Sequence, residues 1–305
     1  LFKIKLLPKF KGIDVGFVKE IVMYSSLILL QMIATQLNSS VDQVLIGSLV
    51  VSSSVILGVY GVGSQITQYF QSIGSAFTGV LMPGIVSLVE SGANAKTLTD
   101  EMIRIGRIIF IVLGIILAGF LICGREFVVL WAGEDNIDAY IVAAILMTAY
   151  MFILIESIGT QILWAMNQHK ELSVLKIIIV LLNILLTIML IKWKPLLGAT
   201  IGTFISLMLG DIVVMNIIFY KKMKINLGYY YKSLMKGILP CLLISSLCGL
   251  GINRFFTSCG WLGFFIKVLI MCLVYAFCLI MYGFNSYEKK LMHSMFNKII
   301  HGRKK

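Results

Sequence analysis

The sequence predicts an all-α protein, a polytopic bundle of transmembrane helices, and three observations predict it. Of its 305 residues, 59% are hydrophobic and only 13% are charged, against roughly 45–50% and 25% in soluble domains. The mean hydropathy is +0.96. Apolar stretches long enough to cross a hydrocarbon core of about 30 Å recur along the chain with short breaks between them. A soluble fold of this size cannot hide that much apolar surface, so lipid is the solvent for most side chains. The segments lack the alternation of membrane β-strands, and a helix satisfies its own backbone amides in hydrocarbon, so the spans are helical.

About eight spans are expected, at roughly 17–38, 54–89, 106–124, 139–165, 172–191, 196–219, 234–252 and 262–283. Trp131, Tyr140, Trp193, Tyr220, Tyr229 to Tyr231, Trp261 and Tyr282 flank them, as an interfacial aromatic belt does. The stretches between spans reach at most about 15 to 20 residues, too short for a soluble domain. Residues 1–16 alternate lysine with leucine, isoleucine and phenylalanine and read as a basic, surface-lying linker. At the other end, Leu291, Met292, Met295, Phe296, Ile299 and Ile300 recur at helical spacing opposite Lys289, Lys290 and Lys298, the pattern of an interfacial tail helix.

The formal net charge is +12, which by itself would fit a nucleic-acid partner. Its distribution gives a different reading. Of the 26 Lys and Arg, 21 fall on one side of the eight spans; Arg125, Lys192, Lys194 and Arg254 fall on the other, and Lys267 lies inside the last span. That asymmetry is the positive-inside pattern, so a multi-pass cell-membrane protein with both termini cytoplasmic is expected, with anionic membrane lipids rather than nucleic acid as neighbours. The chain opens at Leu1 in a basic stretch, and an upstream portion is expected.

Chemistry-bearing motifs are scarce. Six cysteines contain no C-x-x-C pair and read as packing residues; His169, His293 and His301 lie far apart in basic segments, so neither a metal site nor a catalytic triad is indicated. There is no phosphate-binding G-x-x-x-x-G-K-[ST] motif and no large acidic loop for a metal-bound sugar nucleotide. The expectation is a non-enzyme with no cofactor, no metal and no catalytic residue.

Polar residues within the spans mark the candidate site. In the second span Gln65, Gln68 and Gln71 recur every three residues beside Ser64, Thr67, Ser72 and Ser75. Such a stripe either lines a watered, sugar-compatible cavity or glues helices together. Pro83 interrupts the ladder near the end of that span. Glu156 and Asp211 interrupt apolar runs, and each costs at least about 2.5–3.5 kcal/mol if it faces lipid, so each should face protein or water. Counting along the helices puts both near Lys176, and a Glu156 to Lys176 pair stands beside a proton- or ion-coupled site as the alternatives. Gly198, Gly202, Ser206 and Gly210 recur every four residues in the sixth span, the spacing of close helix packing. Arg125, Glu126, Glu134, Asp135 and Asp138 read as a solvated turn.

With these residues in view the chain resembles the polysaccharide flippases within the superfamily of multidrug, oligosaccharidyl-lipid and polysaccharide exporters. The resemblance rests on Asp42 to Gly47, Tyr60 to Gln65, Pro83, Leu130 to Gly133, Asn167 to Lys170, Asn183 and Leu197 to Thr203. It implies twelve or fourteen spans in two six-helix lobes about an axis along the membrane normal, with a central cavity of alternating access. Residues 17–220 would be the second lobe, 221–283 two accessory helices and 284–305 a basic amphipathic cytoplasmic tail, with the first lobe missing from this chain. The implied cargo is an undecaprenyl-pyrophosphate-linked oligosaccharide moved to the outer leaflet. Asp42, Gln65, Gln68, Gln71, Glu156, Gln161 and Asp211 are the expected cavity residues. Lys19, Arg104, Arg107 and Lys176 are expected cations at the cytoplasmic mouth, drawing pyrophosphate or serving topology and lipid contact. A cation- or proton-coupled exporter of small molecules, resting on Glu156 and Asp211, is the alternative.

Overall fold

A computed structural model describes residues 14–51, 53–255, 260–290 and 292. The lysine-rich segment 1–13, Cys259, His293, His301 and the tail-helix pattern beyond Met292 lie outside the described residues. Within them the protein is all-helical, with no strand.

Among the described residues the chain runs through eight helical rods. They are α1 (Val15–Leu49), α2 (Ser53–Glu90), α3 (Ala95–Ala132), the pair α4 (Ala139–Ile155) and α5 (Ser157–Ala165), α6 (His169–Ile191), α7 (Pro195–Leu207) with its continuation, the pair α9 (Leu227–Met235) and α10 (Ile238–Phe255), and α11 (Gly260–Cys278). The continuation of α7 passes through a wide turn at Met208–Val214, the short α8 (Met215–Ile218) and a second wide turn at Phe219–Met223. Five rods are long and apolar enough to cross a membrane singly, or up to eight when each bent pair is taken as one span. The rods correspond to the eight expected spans, but several are longer: α3 has 38 residues, about 57 Å at 1.5 Å per residue and nearly twice the hydrocarbon thickness, and α2, also 38 residues, is the third bent pair, turning by 45° between Gly79 and Met82. Hydropathy locates only the part inside lipid. The ends are set by caps, such as Asn94, which accepts from the Thr97 amide at 2.9 Å, and Gly133, whose φ of 89° stops α3.

The fourth rod bends by 44° at Glu156, between α4 and α5. The seventh carries wide turns around Asp211 and after Ile218, where a π-type winding inserts an extra residue per turn. The bend at Glu156 and the first wide turn fall at the intramembrane carboxylates.

α6 and α7 form a tight antiparallel hairpin around the small-residue stripe. A Cβ on Gly198 would stand 2.2 Å from the Leu190 carbonyl oxygen, and one on Gly210 would stand 2.1 Å from Ile179 Cγ1. Ser206 is fully buried. The stripe is therefore a packing face, as its spacing indicates. α1 leans on this hairpin and is otherwise little covered, with 11% of its apolar window buried against 44% for α3.

α3 is the spine of the other half. α10 and α11 pack along it, and an ion pair joins them at each end. At one end Arg107 Nε and Nη2 donate to the two oxygens of Glu288 at 2.6 and 2.9 Å, while its remaining donors reach the carbonyls of Ser233, Lys236 and Gly283. At the other end Lys267 donates to Glu126 at 2.7 Å and to Asn253 at 3.1 Å. Glu126 thus leaves the solvated turn expected of its neighbourhood, because α3 carries it far enough to meet the buried Lys267.

Substituting alanine for Gly198 should cost about 1–3 kcal/mol of stability, since the obstacle is backbone that cannot yield. Gly61, whose added Cβ meets nothing within 4 Å, is the control. Thermal midpoints of the solubilised variants check this, with Gly198→Ala well below wild type and Gly61→Ala close to it.

Candidate functional site

Two polar centres sit side by side where α1, α2, α4, α6 and α7 meet. The first is a closed knot around Asp42, which is 1% exposed. Its carboxylate accepts from the hydroxyls of Tyr60 and Thr203 and, at 3.1 Å, of Thr187. Asn183 donates to Asn38 at 3.0 Å, and its carbonyl oxygen lies 3.0 and 3.1 Å from the Thr187 and Thr203 hydroxyls. Sequence spacing builds the knot: Asn38 and Asp42 are one turn apart on α1, as are Asn183 and Thr187 on α6, so each pair shares a face. No cation pairs with Asp42 among the described residues. The all-oxygen set of one carboxylate, hydroxyls and amide carbonyls has the chemistry to hold a proton or a small hard cation.

The second centre is an open cavity of about 370 Å³, whose polar lining is interrupted by Ala34, Ile153, Ile179 and Leu207. Thr35, Gln36, Asn38 and Ser39 of α1, Gln68 and Gln71 of α2, Tyr150 of α4, Lys176 of α6 and Asp211 line it. Lys176 Nζ donates to Asp211 Oδ1 at 2.6 Å. The lysine side chain is 22% exposed and the aspartate 4%, so the cation is wetted while its partner is not. Asn38 belongs to both centres, which makes the knot part of the cavity floor.

Glu156 lies outside this cavity. It is 2% exposed and sits at the α4–α5 break, where Oε1 accepts from Asn216 of α8 at 2.8 Å and from the Tyr231 hydroxyl of α9. Its Oε2 has no hydrogen-bond partner. The expected Glu156 to Lys176 pair is replaced by Lys176 to Asp211, because the wide turn at Met208–Val214 brings Asp211 against α6.

The stripe on α2 divides. Gln68 and Gln71 line the cavity, whereas Gln65 is exposed and donates to Tyr69 at 2.9 Å. A single cavity shared by Gln65, Gln68, Asp42 and Glu156 is not what the structure shows: Asp42 lies in the knot beneath, Glu156 behind. Gln161 is half-buried on α5, its Oε1 unpartnered. Of the four cations, Lys19 is exposed on α1 and Lys176 faces the cavity. Arg104 is held by Glu101 at 3.1 Å and by Tyr287, whose ring it covers at 4.1 Å. Arg107 is 3% exposed and saturated by Glu288 and carbonyls. Its expected part in drawing pyrophosphate is corrected to that of a structural clamp, since no donor is left to offer.

Residues 3–141 match the family described as polysaccharide biosynthesis protein. That match supports a polysaccharide flippase-type family for this chain. The matched stretch holds Asp42, the three glutamines and the Arg104 and Arg107 pair, and it ends before Glu156, Lys176 and Asp211. No curated protein and no solved structure matches the chain. The apolar helices and the family match together support a multi-pass membrane protein related to polysaccharide biosynthesis. Among the described residues no cluster of His, Cys, Asp and Glu forms a metal site.

Among the missed contributors were Thr187, Thr203, Tyr150, Asn216 and Tyr231, together with Thr35, Gln36, Asn38 and Ser39 of α1. The first two carried a readable signal, a polar residue one turn from Asn183 and one inside the glycine stripe; the others depend on which helices meet.

Because Lys176 is bound to Asp211, Lys176→Met alone should strand a buried carboxylate and cost about 3–5 kcal/mol, and adding Asp211→Asn should recover most of it. Adding Glu156→Gln should not. Membrane abundance of the single and double variants separates the two pairings.

Proposed function

We propose that this chain forms part of a flippase that carries an undecaprenyl-pyrophosphate-linked oligosaccharide from the cytoplasmic to the outer leaflet, for cell-surface polysaccharide. The observation that carries the reading is the polar cavity: uncharged amides and hydroxyls around one wetted cation, inside an apolar bundle of flippase-type family. A sugar headgroup loses its water on entering oil, and each unpaired hydroxyl then costs free energy. Gln36, Gln68 and Gln71 offer both donors and acceptors to such hydroxyls. Lys176 offers the charge a pyrophosphate requires.

The opposite wall is the first lobe of the same protein. Gln36, Ser39 and Gln43 on α1 and Gln65, Gln68, Ser72 and Ser75 on α2 are exposed, at spacings that put each set on one helix face. Polar stripes of that length are costly against lipid, so they face water or protein. The basic ends of the rods face the cytoplasm, both termini included, where anionic lipids lie against Lys19 and Arg104.

One observation favours a cation- or proton-coupled exporter of small molecules instead: Asp42 and Glu156 are buried carboxylates with no cation partner among the described residues. Deleting the protein distinguishes the two. Loss of surface glycan with lipid-linked glycan trapped inside is expected; intact glycan with increased sensitivity to toxic cations would favour the exporter.

Two outcomes check the site and the orientation. In the full-length protein, Lys176→Met with Asp211→Asn should restore abundance yet reduce glycan export at least tenfold, measured as surface polysaccharide. Impermeant thiol labelling of cysteines placed near 96, 170, 224 and 300 should require access from the cytoplasm. Those near 45, 133, 193 and 257 should label from outside.

A further inference from the structure

α1 is pinned in one half and loose in the other. Its buried residues, Ala34, Asn38, Asp42 and Ile46, all lie in the half that carries the Asp42 knot. In the other half, Val15 to Leu30, no side chain is buried, and Leu27 and Ile28 are half-buried. A hydrogen bond and a ring contact tie that half to α6. The Ser173 hydroxyl donates to the Leu27 carbonyl at 2.8 Å, and the Tyr24 ring meets the His169 ring edge-on, with centroids 4.6 Å apart.

The imidazole sits where only its neutral form fits. His169 is 6% exposed, and neither ring nitrogen has a hydrogen-bond partner among the described residues. It is also the first residue of α6, the end at which a helix dipole disfavours a cation. From α5 the Trp164 carbonyl faces the ring, outside hydrogen-bond geometry and already accepting from the Asn167 amide at 2.9 Å. α1 presents Tyr24, with the exposed Glu20 one turn away, while on α6 itself Lys170 is exposed and Glu171 is held by Lys222 at 2.7 Å. Among the described residues no carboxylate pairs with His169. A charged ring would be dry, unpaired and at the wrong end of its helix, a set of costs that exposure to water removes.

We propose that the Tyr24–His169 contact is a pH-sensitive latch: protonation of the imidazole drives the ring into water and releases the loose half of α1 from α6. The neutral ring belongs to the latched state. Latching is therefore complete above the pH of about 6.5 at which a wetted imidazole titrates, and it is lost as the pH falls below that value. His169 stands two turns from Lys176, so the two share a face of α6. The seam closed by the latch thus runs into the cavity that α1 and α6 line together, and release opens that wall from the basic end of the rods.

The separation of the two helices is measured by pulsed electron resonance between spin labels at Val18 and Val174. Val174 and Val18 are both exposed, and the full-length protein is used in lipid nanodiscs with its other cysteines replaced. One distance is expected at about pH 8. Below about pH 6.5 a longer distance should grow at its expense, the ratio of long to short rising up to about tenfold per pH unit. His169→Phe, neutral at every pH, should keep the short distance throughout, with His169→Gln in its place should the phenylalanine variant not fold. His169→Arg, charged at every pH, should show the long distance even at about pH 8. A wild-type distance unchanged between about pH 8 and 5 would overturn the latch. A pH response that persists in the neutral variants would overturn it too, by assigning the response to another group.

Discussion

A charge inside a membrane has no water to turn to, and the architecture of this bundle follows from the partners its charges find. Three cations within the rods, Arg107, Lys176 and Lys267, hold three carboxylates, Glu288, Asp211 and Glu126. Two of these pairs are dry and well furnished with additional hydrogen bonds, and they fasten α10 and α11 to the two ends of α3. The third is half-wetted and fastens nothing that packing does not already hold, since the α6–α7 hairpin closes on its glycine stripe. The same chemistry thus serves as a clamp where water is excluded and as a site where a cavity admits it.

The two remaining intramembrane carboxylates lack a cation partner and rely on neutral donors. Asp42 is enclosed by hydroxyls from three helices, and Glu156 is held by Asn216 and Tyr231 at a break in its own helix. Both arrangements join separate rods through hydrogen bonds. The bend at Glu156 and the wide turn at Asp211 lie on neighbouring rods, so two of the bundle's backbone irregularities fall at its intramembrane carboxylates. Such backbone is tolerated in a membrane where protein or a cavity covers it.

Fold class was legible in the sequence because the bilayer imposes it: eight apolar segments became eight rods, and small residues every fourth position became a packing face. Rod length was not legible, because hydropathy ends where lipid ends while a helix continues until a cap such as Asn94 or Gly133 stops it. Within the site, the sequence showed that Glu156 and Asp211 need partners and offered Glu156 with Lys176 as one alternative, whereas Lys176 pairs with Asp211. The choice depends on the wide turn at Met208–Val214, whose extra residue rotates Asp211 toward α6 and has no signature in periodicity. Arg107 read as a mouth cation because charge counting is blind to a carboxylate 181 residues away. Gln65 and Gln68 share a stripe in projection, but only Gln68 and Gln71 face the cavity, since the stripe drifts around α2.

The account depends on the cavity beside Lys176 being wet while the outer faces of the rods meet lipid. Rates of modification by a hydrophilic, membrane-impermeant thiol reagent measure this directly. The single cysteines would be placed at Gln68, Gln71 and the lipid-facing Leu181, in a protein whose own six cysteines have been replaced by serine. Modification at 68 and 71 at least tenfold faster than at 181, and slowed by a lipid pyrophosphate, is the predicted result. Equal protection at all three positions would mean a dry interior and would contradict the account.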